Sequence, residues 1–512
     1  MIKTKPEDIW REHAKIHSYL EKNEVYADVK QNELFYEGKQ WEGLPSSDMP
    51  RPVINVLQRA INYMVASLSS NEVAVNITPF SPLEEDKQKM KVISGAIENE
   101  MEQARTRELS RECLRDGGVD GAGYMHHIFD PEVETGQAMK GAIRNELVSC
   151  TNMEFGNPYS NDIQSQPYII IVLRQDVNQL KLEAEELGLS QEEIDQIVPD
   201  NETDFINDDS DNLVTVLLKY YKVKNPDTKE KTVWFTKCTK NITLKEPTDL
   251  GYFRYPISCF GWSTKKNSYL YTAPMTAVIQ NQIFINKTVA MEQMMVLNNA
   301  FPRNVYDKSK IDLQEYMNTN AIAVSGLDIA GKFMDFIQPV EFSNQAPQVV
   351  NDTIAQTKDT MGVTDVQLGN VKPENTSAII TLEENASVPL EIQKQHNYIF
   401  WEDIVRNMID IMANQYGKRI VMSDEFGIAE VDFSVLRTLN YIIRVEVGAG
   451  AQYSQVAQIN TLDKYLDRGL IPGSVHAKLT PSKFLMGKDE LVRSMQEAEN
   501  MQAQALASGV GQ

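Results

Sequence analysis

Histidine is the side chain whose charge changes most readily near neutral pH, and the sequence contains two close histidine pairs. His13 and His17 are four residues apart, so a helix would place both rings on one face, where they could bind a metal ion. No third ligand of an obvious kind accompanies them, and packed or surface histidines are the favoured interpretation. His126 and His127 are adjacent in an expected strand and must point to opposite faces, so they cannot act together on one substrate.

Sequence patterns that hold nucleotides or catalytic nucleophiles are missing from the chain. It has no G-x-x-x-x-G-K-[ST] phosphate loop, no G-x-S-x-G elbow and no H-E-x-x-H metal pair. The glycine-rich stretch from Gly117 to Gly123 lacks the spacing of a dinucleotide loop and is better explained by turn formation. Adjacent carboxylates such as Glu383 and Glu384 indicate a solvated helix face. We therefore expect a protein that is not an enzyme and that uses no cofactor and no metal ion.

A run of acidic residues follows a helix expected over 177–198. Without a compensating base, it contains Asp200, Glu202, Asp204, Asp208, Asp209 and Asp211. An acidic loop of this kind is usually solvated. Calcium binding is the alternative, although the glycine and the closing glutamate of a helix-loop-helix calcium site are missing.

The charge of the chain bears on its partners. The 512 residues carry a formal net charge of −22, with a pI near 4.8. Tight phosphate binding depends on Lys and Arg releasing counterions, so a protein that grips DNA is disfavoured. Repulsion would nevertheless suit a passage through which DNA slides. A chain of this length is also expected to form several structural sections.

Neither membrane insertion nor secretion is expected. The mean hydropathy is −0.37, and the most apolar helical segment, Met275 to Leu297, is interrupted by polar residues such as Gln282, Asn286 and Glu292. The first residues lack the apolar stretch of a secretory signal. Four cysteines are far apart in sequence and form no C-x-x-C pair, which indicates buried free thiols: Cys113, Cys150, Cys238 and Cys259.

The elements expected in the first half are helices followed by short strands. Periodic apolar residues predict helices over 7–37, 54–70 and 82–115, and the glycines from Gly117 onward are expected to end the last of these. Residues 124–255 are expected to be mostly β, with the helical insertion 177–198. The clearest strands are expected at 168–173, 213–221 and 232–236.

The second half is expected to begin with a long helix over 272–299 that has an apolar stripe opposite an amide-rich face. A small α/β unit, with a helix over 310–317 and a strand over 321–325, precedes a helix over 344–361 and a polar loop. A very long helix over 377–416 should bend near Asn385 because of Pro389. Strands over 419–447 and terminal helices, over 453–467 and from Thr480, complete an α+β chain.

This order of elements resembles that of tailed-bacteriophage portal proteins of the P22-like family. The amino-terminal stretch from Phe35 to Trp41 and the segment Arg51 to Asn55 are similar to the start of the portal wing. The pair Gln282 and Asn286 is similar to the entry into the portal stem helix. Residues 362–378 are similar to the portal tunnel loop and the helix behind it. The resemblance covers nearly the whole chain, apart from the long carboxy-terminal barrel of some portals, which we do not expect here.

The resemblance implies a portal fold, in which a mixed α/β wing, long stem helices, a small α/β clip and a helical crown assemble as a ring. The regions would be a wing over 1–271, a first stem helix over 272–300, a clip over 301–340, a second stem helix over 341–361, a tunnel loop over 362–377, a kinked long helix with wing strands over 378–447, and a crown over 448–512. The stem amides would face a wet channel, where neutral donors touch phosphate without holding it.

Site residues follow from that resemblance. The tunnel loop would present Gln367, Asn370, Lys372 and Asn375 to DNA. The clip would offer Arg303, Lys308, Lys310 and Asp312 to terminase or to an adaptor. Stem packing, between subunits or against the return helix, would involve Val278, Ile283, Val289 and Met294.

The implied function is a viral genome packaging and genome ejection channel. The chain would form a homo-oligomeric ring, expected to be a dodecamer, at the portal vertex of the capsid in the virion, after assembly in the host cytoplasm. Expected partners are the terminase large subunit, a head-tail adaptor or tail protein, the major capsid and scaffolding proteins, and double-stranded DNA without sequence preference, but no membrane. The alternative is another phage head-tail connector or capsid structural protein, and a nucleotide-driven enzyme is the weaker rival.

Overall fold

The structure of the protein is a computed structural model. It describes residues 4–45, 49–69, 73–80, 83–137, 139–200, 212–224, 229–299, 303–307, 322–324, 334–337, 345–363, 388–423, 427–437, 441–447, 462–480, 491–495 and 498. The chain divides into two compact units. The larger comprises Met1–Ser70, Val75–Lys372 and Leu382–Arg444, and the smaller comprises Asn71–Ala74, Pro373–Thr381 and Val445–Gln512.

Helices and strands alternate in blocks, which makes the fold mixed α+β, as expected. The helices are α1 (Pro6–Lys22), α2 (Val25–Tyr36), α3 (Val56–Ser69), α4 (Glu84–Gln103), α5 (Thr106–Asp120), α6 (Val177–Glu186), α7 (Gln191–Ile194), α8 (Ile279–Asn299), α9 (Gln345–Thr360), α10 (Glu391–Gln415) and α11 (Gly473–Leu479).

The strands form five sheets among the described residues. They are β1 (Val73–Pro79), β2 (Ala122–Asp130), β3 (Ala142–Ser149), β4 (Met153–Phe155), β5 (Tyr168–Asp176), β6 (Leu213–Lys224), β7 (Lys231–Cys238), β8 (Thr243–Tyr252), β9 (Ile257–Gly261), β10 (Arg303–Asp307), β11 (Ile322–Val324), β12 (Met334–Ile337), β13 (Lys418–Ser423), β14 (Gly427–Asp432) and β15 (Tyr441–Val447). The sheet orders are β4-β5-β6-β7-β8, β3-β2-β9, β11-β10-β12, β13-β14 and β1-β15.

The five-stranded antiparallel sheet is the largest, and it contains the three strands that the sequence predicts most clearly. Apolar side chains of β5, β6 and β7 meet Ile9 of α1 in a buried cluster of Ile170, Val172, Leu217 and Cys238. Burying an aliphatic side chain of this size stabilises the fold by roughly 2 kcal/mol. The amphipathic helix α1 is therefore held on the sheet by its apolar face.

Two helices expected to be continuous are each divided in two. The helix predicted over 7–37 is interrupted at Glu24, whose φ of 59° lies in the left-handed region. The helix predicted over 82–115 is interrupted at Arg105, with φ 50°. Side-chain periodicity does not reveal such breaks, because neither position carries the glycine that usually marks them.

The glycine stretch after Arg115 also differs from the prediction. Gly117 and Gly118 lie inside α5, and the helix ends at Gly121, whose φ is 98°. A Cβ at Gly117 would lie 2.5 Å from the Phe260 ring, so this glycine permits close helix-to-sheet packing. Turn formation therefore explains Gly121 but not Gly117 or Gly118.

The segment from α8 to α9 contains a three-stranded sheet where the sequence predicts a small α/β unit. Strand β10 pairs parallel with β11 and antiparallel with β12. The strand predicted over 321–325 is confirmed as β11, whereas the helix predicted over 310–317 lies outside the described residues. Helix α8 packs on α9, where Val350 is buried and Ile354 contacts the same cluster.

Helix α10, with 25 residues, is the longest of the described helices and packs on β9. It begins after a 3-10 turn over Val388–Leu390, so Pro389 precedes the helix. The predicted bend near Asn385 lies outside the described residues. Phe400 and Trp401 are buried on this helix, and the Phe400 ring contacts Phe260 of β9.

The smaller unit is described over short stretches. Residues 462–467 are helical, in agreement with part of the helix predicted over 453–467. Helix α11 ends before Thr480, and the helix predicted from Thr480 onward lies largely outside the described residues. Among all described helices, none combines the length and apolar character needed to cross a bilayer.

Candidate functional site

Two amide side chains one turn apart on α8, Gln282 and Asn286, are buried inside the subunit. Gln282 donates to the Ile54 carbonyl at 2.6 Å and accepts from the Val56 amide at 3.1 Å. Asn286 accepts from the Ile54 amide at 3.2 Å and donates to Gln40. The expectation that these amides face a wet channel is therefore wrong. They satisfy backbone groups at the start of α3, which a buried chain segment requires.

The apolar stripe predicted on α8 is divided between the inside and the border of the subunit. Val278 is buried, and Val289 packs on the cluster formed with α9. Ile283 and Met294 are half-buried. The alternative in which this stripe packs against the return helix therefore holds for Val289.

A different face of α8 is uncovered. The exposed α8 face, as we name it, consists of Gln280, Phe284, Lys287 and Met291, spaced at intervals of four, three and four residues. Phe284 is 45% exposed and Met291 is 56% exposed. Two large apolar side chains seven residues apart lie on one side of a helix and form a surface that a partner could cover.

The expected clip and tunnel-loop residues fall mostly outside the described residues. Arg303 is the first residue of β10, in register with Ile337 of β12. Outside the described residues lie Lys308, Lys310, Asp312, Gln367, Asn370, Lys372 and Asn375.

The histidine pairs have structural partners. His13 lies 2.8 Å from a Glu154 carboxylate oxygen, and the ring of His17 lies 5.0 Å from that of Tyr26. The two rings thus contact different groups, as the packed interpretation predicts. His126 contacts the Tyr220 hydroxyl of β6 at 2.9 Å.

His127 contacts its own sheet instead. It lies 2.7 Å from Asn145 Oδ1 on β3 and 2.9 Å from Ser258 Oγ on β9. Burial lowers the pKa of His126 to about 3 and that of His127 to about 4, so both rings are neutral in the folded protein at pH 7. The expectation that the two rings do not act together agrees with these separate partners.

Asp200, the first acid of the expected solvated loop, is held in an ion pair. Its carboxylate lies 2.5 Å from Arg174 and accepts from the Thr215 hydroxyl at 2.7 Å. Asp200 therefore anchors the loop to β5 and β6. The remaining acids of that loop lie outside the described residues.

The cysteines are free thiols, as expected. Cys113, Cys150 and Cys238 are buried, and Cys259 is half-buried. Burial raises the pKa of Cys238 and Cys259 to about 12. Thiols with such a raised pKa are poor nucleophiles and poor metal ligands.

Sequence reasoning missed a cluster of three carboxylates between α2 and α5. Oxygens of Glu33, Asp116 and Asp120 lie within 4.8 Å of one another. Arg115 binds Glu33 through two nitrogens, at 2.5 and 2.6 Å, and Asp116 at 2.9 Å. Asp116 and Asp120 share a helix face only because α5 continues through Gly117 and Gly118, where the sequence predicts its end, and the approach of Glu33 depends on how α2 packs.

Burial is the main cause of perturbed protonation in this carboxylate cluster. It raises the pKa of Asp120 to about 8 and that of Asp116 to about 6, with repulsion from Glu33 adding to both. Arg115 acts in the opposite direction on each. The cluster therefore holds a proton on Asp120 at neutral pH.

Comparison with models of known protein families and with curated proteins finds no match for this chain.

Proposed function

We propose that this protein is a subunit of a ring-shaped DNA channel of the portal type, which docks terminase during genome packaging, then the tail or adaptor, and passes DNA on ejection. The observation that carries the proposal is the exposed α8 face. Phe284 and Met291 lie on a helix that precedes a small three-stranded sheet, and α9 returns to pack on the same helix. In a ring, the corresponding surface of each copy would be covered by the next copy.

The length of α8 supports this role. A helix of 21 residues is about 30 Å long, which is comparable to the diameter of a small domain. On its buried side, Gln282, Ile285 and Asn286 pack within the subunit. The opposite side is therefore available for a neighbouring subunit. One side of α8 packs within the subunit, and the other would pack between subunits.

The proposed regions follow the order of elements. Residues 1–271 and 378–447 form the wing, 272–300 and 341–361 the stem, 301–340 the clip, 362–377 the tunnel loop and 448–512 the crown. The acidic chain supports a channel that does not grip its cargo, since like charges on wall and phosphate keep DNA free to slide.

Negative-stain electron microscopy of the purified protein tests the proposal directly. We expect rings with a central hole, and Phe284→Asp should abolish them because a charge in a covered apolar contact is costly. Leu182→Asp is the matched control, since Leu182 on α6 is 60% exposed and lies far from α8 in sequence. Rings that form equally well from Phe284→Asp, or a parent protein that forms no rings, would contradict the proposal. A capsid structural protein would instead give closed shells or isolated subunits.

A further inference from the structure

A cavity of about 250 Å³ lies in the larger unit, beside the turn that links α10 to β13. One wall is a face of α4 with Ala96, Asn99 and Gln103. Apolar side chains of α10 and of the segment after it, including Met412 and Val421, form another wall. The share of liquid volume taken by one water molecule is roughly 30 Å³, so the cavity has room for a small organic molecule.

Arg419 lies in the wall of this cavity and is 6% exposed. Its Nη2 donates to the Gly141 carbonyl at 2.7 Å, and its guanidinium carbon lies 3.6 Å from the centre of the Tyr416 ring. Its Nε is buried without a hydrogen-bond partner among the described residues. A guanidinium has five N–H donors, and the one on Nε has no acceptor among the described residues.

The position of Arg419 follows from strand alternation. On β13, Arg419 and Val421 are buried whereas Lys418 and Ile420 are exposed, because successive side chains point to opposite faces of a strand. The cation of Arg419 therefore lies on the inward face of β13, together with the apolar side chain of Val421. A buried guanidinium donor without an acceptor is unfavourable, and contact with an aromatic face offsets that cost only in part.

We propose that this cavity binds a small carboxylate with a short aliphatic chain, with the carboxylate on Arg419 and the chain against Met412 and Val421. A guanidinium matches a carboxylate in shape and charge. Thr135 also lines the cavity, and its buried Oγ1 has no partner among the described residues, so it can donate to the same oxyanion. The proposal concerns a site separate from the exposed α8 face and does not depend on the proposed function.

A single negative charge fits this site better than a phosphate does. Glu100 is buried in the same wall, where it accepts from the Ile143 amide at 3.0 Å. With one guanidinium and one carboxylate already present, a dianion would leave a large excess of negative charge in a confined space. A monocarboxylate leaves a smaller excess and also uses the apolar wall.

Binding of sodium butyrate to the full chain, measured by saturation-transfer NMR and calorimetry, tests the proposal. We expect saturable binding with a dissociation constant of about 1 mM, and at least about tenfold weaker binding of sodium phosphate. A parallel titration with N-acetylglutamate α-amide identifies the source of the carboxylate. Tighter binding of this compound than of butyrate indicates an acidic side chain of a polypeptide, and the reverse indicates a free organic acid. Absence of saturable butyrate binding, or preference for phosphate, overturns the proposal.

Variants of residues in the cavity wall test whether butyrate binds at Arg419. Arg419→Met should weaken butyrate binding at least about tenfold, since it removes the charge-assisted hydrogen bonds while keeping an apolar side chain of similar length. Arg437→Met is the matched control, because Arg437 is exposed and does not line the cavity. If Arg419→Met does not fold, Gln103→Trp fills the cavity from the exposed surface of α4 and should give the same loss. Parent-like butyrate binding by the folded cavity variant overturns the assignment.

Discussion

Replacing Asp120 with asparagine should stabilise the protein at high pH and change it little at low pH. Asp120 shares a half-buried site with Glu33 and Asp116, and their oxygens lie within 4.8 Å of one another. Two unit charges at that distance repel by about 3 kcal/mol at an effective dielectric constant near 20. Asparagine keeps the shape and the donor capacity of the protonated carboxyl but cannot acquire the charge.

The sign of the effect follows from the direction of the pKa shift. Burial raises the pKa of Asp120 from an ordinary value of 3.8 to about 8, so the folded protein binds a proton that the unfolded chain has lost. The stabilising contribution of that proton is fully present below pH 3.8 and is lost as the pH rises towards 8. A shift of this size corresponds to at most about 6 kcal/mol, and solvent contact and the Arg115 guanidinium reduce it.

We expect Asp120→Asn to raise the free energy of unfolding by about 2 to 4 kcal/mol at pH 9 and by less than about 1 kcal/mol at pH 4. Urea unfolding at pH 4, 7 and 9, followed by tryptophan fluorescence, measures the difference from the parent. Asp352→Asn is the control, since Asp352 is exposed on α9. A gain that is equal at all three pH values, or a loss at pH 9, would refute the assignment of a buried proton to Asp120.

Three further predictions concern stability and DNA. Glu12→Gln should lower the free energy of unfolding by about 3 kcal/mol, because Lys219 is 1% exposed and its Nζ lies 2.5 Å from the Glu12 carboxylate. Urea unfolding measures this loss. Glu7→Gln is the control and should have almost no effect, since Glu7 is exposed. With a net charge of −22, the protein should bind duplex DNA weakly at physiological salt, and nanomolar affinity in a fluorescence-anisotropy titration would contradict this. Lys372→Glu should leave ring assembly intact but impair DNA packaging or retention, because the ring repeats the charge in each subunit. Parent-like packaging by this variant would show that the charge at Lys372 has no such role.

The sequence by itself determined which kinds of element occur and in what order. Short runs rich in β-branched and aromatic residues in β5, β6 and β7 were sufficient, and so was the periodic apolar face of α3, since each pattern is a local property of the chain. The missing nucleotide and nucleophile patterns are likewise a property of the sequence. The strand β11 between two helices was also found in this way.

Tertiary structure decided where the side chains of those elements lie. The pattern on α8 showed an apolar stripe and an amide face, but packing on α3 buried Gln282 and Asn286 and left Phe284 exposed. The helix breaks at Glu24 and Arg105 arise because these residues adopt left-handed backbone conformations. Neither residue type predicts that conformation. The carboxylate cluster needs Glu33 to approach Asp120 across 87 positions of the chain, and the Arg419 cavity forms where α4, α10 and β13 meet. Contacts between residues so far apart in sequence depend on how elements pack, and a local pattern carries no information about that packing.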